Sequence, residues 1–378
     1  MKRAHRSVVV VLLVALLALV APPAFAATIV SRPVRVNLDF PAAFTVAPDG
    51  RIFYGERFTG EIRIFNPATG TDTLFFDIPG VPPPPPTSSG GGALGPAHVA
   101  GGEQGLLGLA LHPHYPGNPK VYAFVTREVS GIHENHIIRL TDSGGKGTAM
   151  FVMFRIPSVS SFHNGGRILF GPDGKLYVVV GDNASNRNAQ NLSVPYGKVL
   201  RMEPWGAVPP DNPFPNNRVW AYGIRNGFGF DFDPRTGRLW ETQNGPQCND
   251  ELNRIIKGRN YGWGPTATCT TPPMPPFNTN RDGPSPVLPL RWYTPPIAPT
   301  GAVFCNGCDL GTASEGTLFF GAFNGGQVRR VTLNAARSGV SSQTVVFKHR
   351  TGILSMEAGP DGTLYFSDRA GIYRLALV

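Results

Sequence analysis

The stretch "GPDGKLYVVVGD", residues 171–182, joins a tight turn to a short apolar strand. Asp-Gly favours the turn, and Leu176-Tyr177 begins a run of aromatic and β-branched residues that is typical of a buried strand. The same pattern, a turn rich in Asp, Gly and Pro followed by an aliphatic–aromatic pair, recurs along the chain. Its six copies lie at residues 47–56, 112–126, 171–182, 233–245, 313–323 and 359–368.

A second pattern, an aliphatic–Arg–aliphatic strand, follows most copies, and long helical periodicity is scarce. A hairpin followed by a further strand, repeated radially, is the building unit of β-propellers. We therefore predict an all-β fold, a six-bladed β-propeller that forms a single domain over residues 27–378. A β-sandwich with coincidental Asp-Gly turns is the alternative, and six matched copies argue against it.

The ring also needs a closure, because the sixth copy ends only ten residues before the C-terminus. The strand-like segment "TIVSRPVRVNLDF", residues 28–40, is available at the other end of the chain. We predict that it completes the last blade.

The N-terminus has the three parts of a secretory signal peptide. Lys2, Arg3 and Arg6 are followed by 14 apolar residues and then by Ala24-Phe25-Ala26, an A-x-A cleavage site. This predicts a signal peptide over residues 1–26, a secreted or periplasmic protein and no stable membrane insertion. An uncleaved membrane anchor is the alternative.

Charge and composition limit the classes of partner. The formal charge is +9, and removing Lys2, Arg3 and Arg6 with the signal peptide leaves +6. No block of Lys and Arg is present, so we expect no nucleic-acid partner. Two Pro-rich loops, 79–95 and 270–299, interrupt the repeats.

Four cysteines remain in an exported chain, which indicates two disulfides. The simplest pairing is Cys248 with Cys269 and Cys305 with Cys308, although the spacing alone does not decide connectivity. The Cys305-x-x-Cys308 pair is also compatible with half of a zinc site, but no second pair of that kind accompanies it.

Polar residues cluster between the repeats. Loops of different blades converge around the axis of a propeller, so we expect these clusters to build one site. They are "GGEQGLLGLALHP" (101–113), "FHNGGRILFGPDG" (162–174), "YGIRNGFGFDFDP" (222–234) and "QNGPQCNDELNRIIKGRNYGW" (243–263).

These stretches resemble the soluble quinoprotein sugar dehydrogenases, also called the glucose/sorbosone dehydrogenase family, from about Phe40 to Leu377. Residues 222–263 carry the most specific likeness, with "YGIRN", "DELN" and "NYGW" in the family's order. The resemblance implies a six-bladed propeller that binds pyrroloquinoline quinone (PQQ) and Ca²⁺ and oxidises aldose sugars.

The resemblance also implies roles for individual residues. His163 falls on the family's general base, which removes the proton of the anomeric hydroxyl while a hydride moves to the quinone. A lone loop histidine is more often a solvated bystander. Arg225 and Asn226 match a pair over the cofactor, where a fixed cation stabilises developing negative charge. The alternative for Arg225 is an ion pair between blades.

Gly245 and Pro246 match positions whose backbone carbonyls hold the cofactor's calcium. Asp250, Glu251 and Tyr261 resemble a second, structural calcium site. Alternatively, the acidic residues cap a short turn.

The chain departs from the family at several cofactor positions. Glu103 replaces a glutamine, Phe162 stands where a polar residue precedes the base, and Asn324 replaces a lysine. Two arginines of the family align with Gly352 and Leu354, and Arg350 lies near enough to substitute. Because PQQ carries three carboxylates, fewer cations weaken its binding.

The sequence therefore predicts an exported PQQ- and Ca²⁺-dependent aldose dehydrogenase that passes electrons to an external acceptor. Two alternatives stay open. One is a non-catalytic propeller that binds sugar or a protein partner, and the other is a calcium-dependent sugar lactonase.

Overall fold

The computed structural model describes residues 27–81, 102–157, 160–270 and 275–378, which form 24 β-strands in six four-stranded sheets. One short α-helix, α1 (Asn186–Gln190), and two 3₁₀ turns, Pro276–Asn278 and Asn324–Gly326, accompany these strands. Each sheet is one blade, so the prediction of an all-β, six-bladed propeller is confirmed.

Within each blade the strands follow one another from the axis outward in chain order, and only the outer strand of blade 6 comes from the N-terminus. Blade 1 consists of β2 (Ala43–Val46), β3 (Ile52–Gly55), β4 (Glu61–Asn66) and β5 (Thr71–Asp77). Blade 2 consists of β6 (Leu106–Leu111), β7 (Lys120–Val129), β8 (Ile132–Asp142) and β9 (Gly147–Pro157). Blade 3 consists of β10 (Ile168–Phe170), β11 (Leu176–Val180), β12 (Lys198–Met202) and β13 (Val219–Tyr222).

Blade 4 consists of β14 (Gly227–Phe232), β15 (Leu239–Gln243), β16 (Asp250–Ile255) and β17 (Arg291–Tyr293). Blade 5 consists of β18 (Pro299–Phe304), β19 (Leu318–Ala322), β20 (Gln327–Leu333) and β21 (Val340–Lys348). Blade 6 consists of β22 (Ser355–Ala358), β23 (Leu364–Ser367), β24 (Gly371–Leu377) and β1 (Ile29–Val36).

Each repeat copy forms the turn between the first two strands of a blade, and its aliphatic–aromatic pair begins the second strand. The aliphatic–Arg–aliphatic pattern forms the third strand. In blade 3, Arg201 reaches back to Asp173 in the repeat turn at 2.9 Å and stacks on Trp220 at 4.9 Å. The turn and the third strand therefore stabilise one another.

Apolar contacts between neighbouring blades stabilise the ring. Within the described residues the buried side chains form six clusters, and each cluster fills the interface between two adjacent blades. Every residue of β11, β15 and β19 is buried, because both faces of a second strand are covered by neighbouring blades. A single blade cannot bury these faces alone, so each blade depends on its neighbours for stability.

The ring closes through its two termini. β1 pairs antiparallel with β24, from Ile29 opposite Leu377 to Val36 opposite Gly371. This confirms the prediction that the N-terminal strand completes the last blade.

Both predicted disulfides are present, Cys248–Cys269 and Cys305–Cys308. The predicted signal peptide, 1–26, lies outside the described residues, as do residues 82–95 of the first Pro-rich loop and 271–274 of the second. The second Pro-rich stretch also supplies β17, the outer strand of blade 4. None of the helices in the described ranges is long and apolar enough to cross a membrane.

Closure by β1 yields a prediction about stability. Deleting residues 1–36 removes the seven β1–β24 pairs and exposes the edge of β24. We expect the unfolding temperature to fall by about 5 °C or more relative to a chain that begins at residue 27. Equal unfolding temperatures in a thermal scan of the two proteins would show that β1 is dispensable.

Candidate active site

A cavity of about 580 Å³ lies where the first strands of all six blades begin, and its size is that of a small-molecule site. All four polar clusters of the sequence contribute to its wall, as predicted. Each blade contributes at least one lining residue just before its first strand, in blade order Ala42, Glu103, His163, Arg225, Ala298 and Leu354.

Glu103 connects two of these loops. Its carboxylate accepts the backbone N–H of His163 at 2.8 Å and the side-chain amide N–H of Asn226 at 2.9 and 3.1 Å. The buried guanidinium of Arg57 donates to the carbonyls of Gly102 at 2.5 Å and Gln104 at 2.8 Å. Arg57 therefore holds the loop on both sides of Glu103, and Glu103 in turn fixes the His163 backbone.

A buried carboxylate orients the His163 ring. Asp182 follows β11 and is only 1 % exposed, and its Oδ1 lies 2.7 Å from His163 Nδ1. The same carboxylate accepts N–H groups from the Trp263 indole at 2.7 Å and the Ala184 backbone at 2.9 Å. His163 itself has a φ of 57°, a conformation uncommon outside glycine and often found at functional sites.

Gly181 allows the loops that carry His163 and Asn226 to lie close together. A Cβ on Gly181 would lie 2.3 Å from the His163 carbonyl oxygen and 2.8 Å from the Asn226 amide oxygen. Any larger residue at this position would push apart the loops that carry His163 and Asn226.

These contacts determine which ring nitrogen of His163 faces the ligand. An ionised carboxylate only accepts hydrogen bonds, so the Asp182 contact places the proton of a neutral imidazole on Nδ1. The lone pair is then on Nε2, and the ring lines the cavity. This tautomer is the one that a base acting on a cavity ligand requires.

Arg225 is linked to the Asp182 carboxylate through the Trp263 ring. Its guanidinium carbon is 5.4 Å from the centre of the Trp263 ring, and Nη1 donates to the Asn244 carbonyl at 2.9 Å. Burial lowers the pKa of Arg225, and the nearby negative charges of Asp182 and Glu103 oppose that shift. The cation is therefore held in place where a ligand can use its charge.

Two sets of residues are predicted to hold calcium, and only the set of Gly245 and Pro246 lies at the cavity wall. Gly245 and Pro246 line the cavity beside Asn244. Asp250 lies behind them, and its carboxylate accepts the backbone N–H groups of Gly245 at 2.8 Å and of Ile297 and Ala298, both at 2.7 Å. Asp250 thus supports the Gly245 loop and the adjacent wall.

Glu251 and Tyr261 are buried outside the cavity, and amide groups already occupy their oxygens. The Asn280 side-chain N–H₂ donates to a Glu251 carboxylate oxygen and to the Tyr261 carbonyl, both at 2.8 Å. Burial raises the pKa of Glu251 to about 7. Calcium at this set would have to displace the Asn280 amide, so the role of Asp250, Glu251 and Tyr261 as ligands stays a prediction. Within the described residues no cluster of three or more His, Cys, Asp or Glu side chains is arranged to hold a metal.

The sequence pattern of the family described as Glucose / Sorbosone dehydrogenase matches residues 38–374. The chain belongs to this family. Membership places it among the sugar dehydrogenases, as the resemblance of the motifs implied.

Individual proteins that resemble this glucose/sorbosone dehydrogenase family member are also sugar dehydrogenases. It is 31 % identical over 264 residues to quinoprotein glucose dehydrogenase B of Acinetobacter calcoaceticus, covering 60 % of this chain and 50 % of that protein. It is 26 % identical to the aldose sugar dehydrogenase YliI of Escherichia coli K12, covering 90 % of each chain. The solved PQQ-bound aldose sugar dehydrogenase of Streptomyces coelicolor superimposes with a TM-score of 0.75 at 27 % identity, covering 95 % of this chain and all of that one.

The other two predicted cofactor contacts lie outside the cavity wall of this family member. Asn324 is exposed, and its amide donates to the Pro296 carbonyl at 3.2 Å. Arg350 is also exposed and lies beside the Tyr373 hydroxyl. Glu103 and Asn226, by contrast, lie together at the wall.

The sequence patterns do not assign roles to Asp182, Trp263 or Arg57. Asp182 and Trp263 lie at the ends of stretches that were singled out, "VVVGD" and "NYGW", so their positions carried a signal. Arg57 follows the first repeat copy, and nothing in the linear pattern separates it from a solvent-exposed arginine.

The hydrogen bonds from the Asn280 amide to Glu251 and Tyr261 yield a prediction about how the cofactor-free protein responds to calcium. Because Asp250 and Glu251 are already hydrogen-bonded, we expect millimolar EDTA or millimolar Ca²⁺ to change the unfolding temperature by less than about 1 °C. A clear rise with Ca²⁺ that Glu251→Gln abolishes would show that the ion displaces the Asn280 amide.

Proposed function

We propose that this protein oxidises aldose sugars at the anomeric carbon to the lactone, with PQQ as its cofactor. The observation that carries the proposal is the His163 ring, which lines a cavity of suitable size while a buried carboxylate fixes Nδ1. The family to which the chain belongs supplies the class of reaction.

The cavity wall suits a flat, polar, anionic group. In the part of the chain that the structure describes, Arg225 Nε and Asn226 Oδ1 are buried without a hydrogen-bond partner. Both residues line the cavity, and the Phe228 and Phe323 rings add apolar surface to the wall. Buried polar atoms without partners are costly, so a ligand that offers an acceptor to Arg225 Nε and a donor to Asn226 Oδ1 binds with that gain.

Particular residues would hold the cofactor. Arg225 and Asn226 would contact its polar edge, and the carbonyls of Gly245 and Pro246 would share a calcium ion with it. When bound, PQQ supplies a two-electron acceptor for the hydride that leaves the sugar's C1.

The protein's own contribution is to move a proton and to stabilise charge. We propose that His163 Nε2 accepts the proton of the anomeric hydroxyl, and that the Asp182 carboxylate stabilises the resulting imidazolium. The Arg225 cation, fixed by Asn244 and Trp263, stabilises negative charge that develops across the cavity. The exposed Phe162 ring, next to His163, forms part of the rim over which a sugar would enter.

The surroundings of the reaction follow from the sequence. We propose that residues 1–26 are removed on export to a secreted or periplasmic location. The electrons then pass to an external acceptor, because the catalytic cycle must reoxidise the cofactor.

Two substitutions test the assignment of the base. Asn at position 182 cannot accept N–H groups from His163, Ala184 and Trp263 together, since one of its two positions is itself a donor. We expect Asp182→Asn and His163→Ala each to lower kcat by about 100-fold or more with PQQ and Ca²⁺ present. Reduction of a dye in the presence of a panel of aldoses measures this.

His114→Ala is the matched control, because His114 is exposed and does not line the cavity. Full activity in His163→Ala would contradict the assignment. Failure of the wild-type protein to bind PQQ would favour a non-catalytic propeller that binds sugar or a protein. Hydrolysis of sugar lactones with Ca²⁺ alone would instead support the lactonase.

A further inference from the structure

Two arginines from opposite ends of the chain meet at the wall beside Phe40. The guanidinium carbon of Arg57 lies 4.9 Å from the centre of the Phe40 ring, and that of Arg369 lies 5.9 Å from the same centre. Arg369 also lies 4.9 Å from the Phe323 ring. Phe40, Arg57 and Phe323 line the cavity, and the Arg369 guanidinium packs on the two phenylalanine rings of this wall.

These two cations destabilise one another. Burial lowers the pKa of Arg57 to about 10, and the positive charge of Arg369 lowers it further, against the opposing effect of Glu103. Burial also lowers the pKa of Arg369. Like charges that share one ring are unfavourable unless an anion lies close to both.

The nearby carboxylates are occupied by other donors. Glu103 accepts hydrogen bonds from His163 and Asn226. Asp368, next to Arg369, accepts from His349, Thr351 and the Ala370 backbone. Arg369 Nε is buried and, among the described residues, has no hydrogen-bond partner. Arg369 therefore carries an N–H donor that is not yet used, beside the Phe40 and Phe323 rings of the cavity wall.

The structure also explains why no cation comes from position 352. A Cβ on Gly352 would lie 2.6 Å from both the ring and the carbonyl oxygen of Phe323, so this position has no room for an arginine side chain. Phe323 fills that space and carries the Arg369 guanidinium on its ring. Arg369 thus places a positive charge next to this part of the wall.

We propose that Arg369, together with Arg57, binds a carboxylate of the cofactor and replaces the cations missing at positions 324, 352 and 354. The inference rests on the proposed function, because PQQ is the anion it requires. A guanidinium forms charge-assisted, often bidentate hydrogen bonds with a carboxylate, and the orphaned Nε of Arg369 is a suitable donor.

Arg369 is the better residue to test, since Arg57 also holds the Glu103 loop. We expect Arg369→Gln to raise the Kd for PQQ by about 10-fold or more, measured by calorimetric titration with Ca²⁺ and without sugar. Arg350→Gln, a charge-matched control at an exposed position, is expected to change Kd by less than about 2-fold. Arg369→Lys keeps the positive charge but loses the bidentate guanidinium, so its Kd for PQQ is expected to lie between those of Arg369→Gln and Arg350→Gln.

The stability of the cofactor-free protein separates binding from a structural role. Removing one of two repelling cations is expected to leave the unfolding temperature of Arg369→Gln equal to or above that of the wild type. A lower unfolding temperature together with unchanged PQQ affinity would overturn the inference and make Arg369 a packing residue.

The titration also separates two kinds of failure. If the wild type does not bind PQQ at ten-micromolar concentration, the proposed function fails and the inference with it. If the wild type binds and Arg369→Gln binds equally well, or if Arg350→Gln weakens binding as much, only the inference is overturned.

Discussion

The candidate site depends on one buried carboxylate. Asp182 follows the second strand of blade 3, and three N–H donors from three different segments converge on it. Through His163 it sets the tautomer of the candidate base, and through Trp263 it positions the surface on which Arg225 rests. A propeller brings such segments together only when its ring is closed, so the chemistry of the site is coupled to the pairing of β1 with β24.

The distribution of charge explains how the same site can hold an anion. Arg57 and Arg225 line the cavity, and Arg369 packs on the Phe323 ring of its wall. The Glu103 carboxylate in the wall is engaged with His163 and Asn226. Arrangements of this kind destabilise the empty protein and favour the loaded one, because the repulsion between cations is relieved only when ligand binds. Cofactor affinity and resting stability are then opposed properties of the same residues.

Much of this was predictable from the sequence, for definite physical reasons. The turn and the aliphatic–aromatic pair recur because every blade must reverse direction and then bury its second strand on both faces, so six copies predicted six blades. The sixth copy left too few residues for a full sheet, and this predicted closure by residues 28–40. His163, Arg225 and Gly245 were expected together because loops that precede first strands, or lie beside them, converge on the axis.

Other features depend on side-chain direction and on contacts across the ring closure, which a linear pattern does not contain. Asn324 stands where the family has a lysine and Arg350 lies near the positions of two family arginines, yet both side chains are exposed outside the wall. Arg57 and Arg369 lie near opposite ends of the chain and meet only because blades 1 and 6 are neighbours. Asp182 resembled an ordinary turn residue until the fold placed it under His163.

The most direct test of the account is a single-turnover experiment without oxygen. PQQ-loaded protein is mixed with one equivalent of an aldose, and the quinone absorbance is followed. We predict bleaching of one quinone per protein molecule, and loss of that bleaching in His163→Ala with the cofactor still bound. An unchanged quinone spectrum in the loaded wild-type protein across the full panel of aldoses would contradict it.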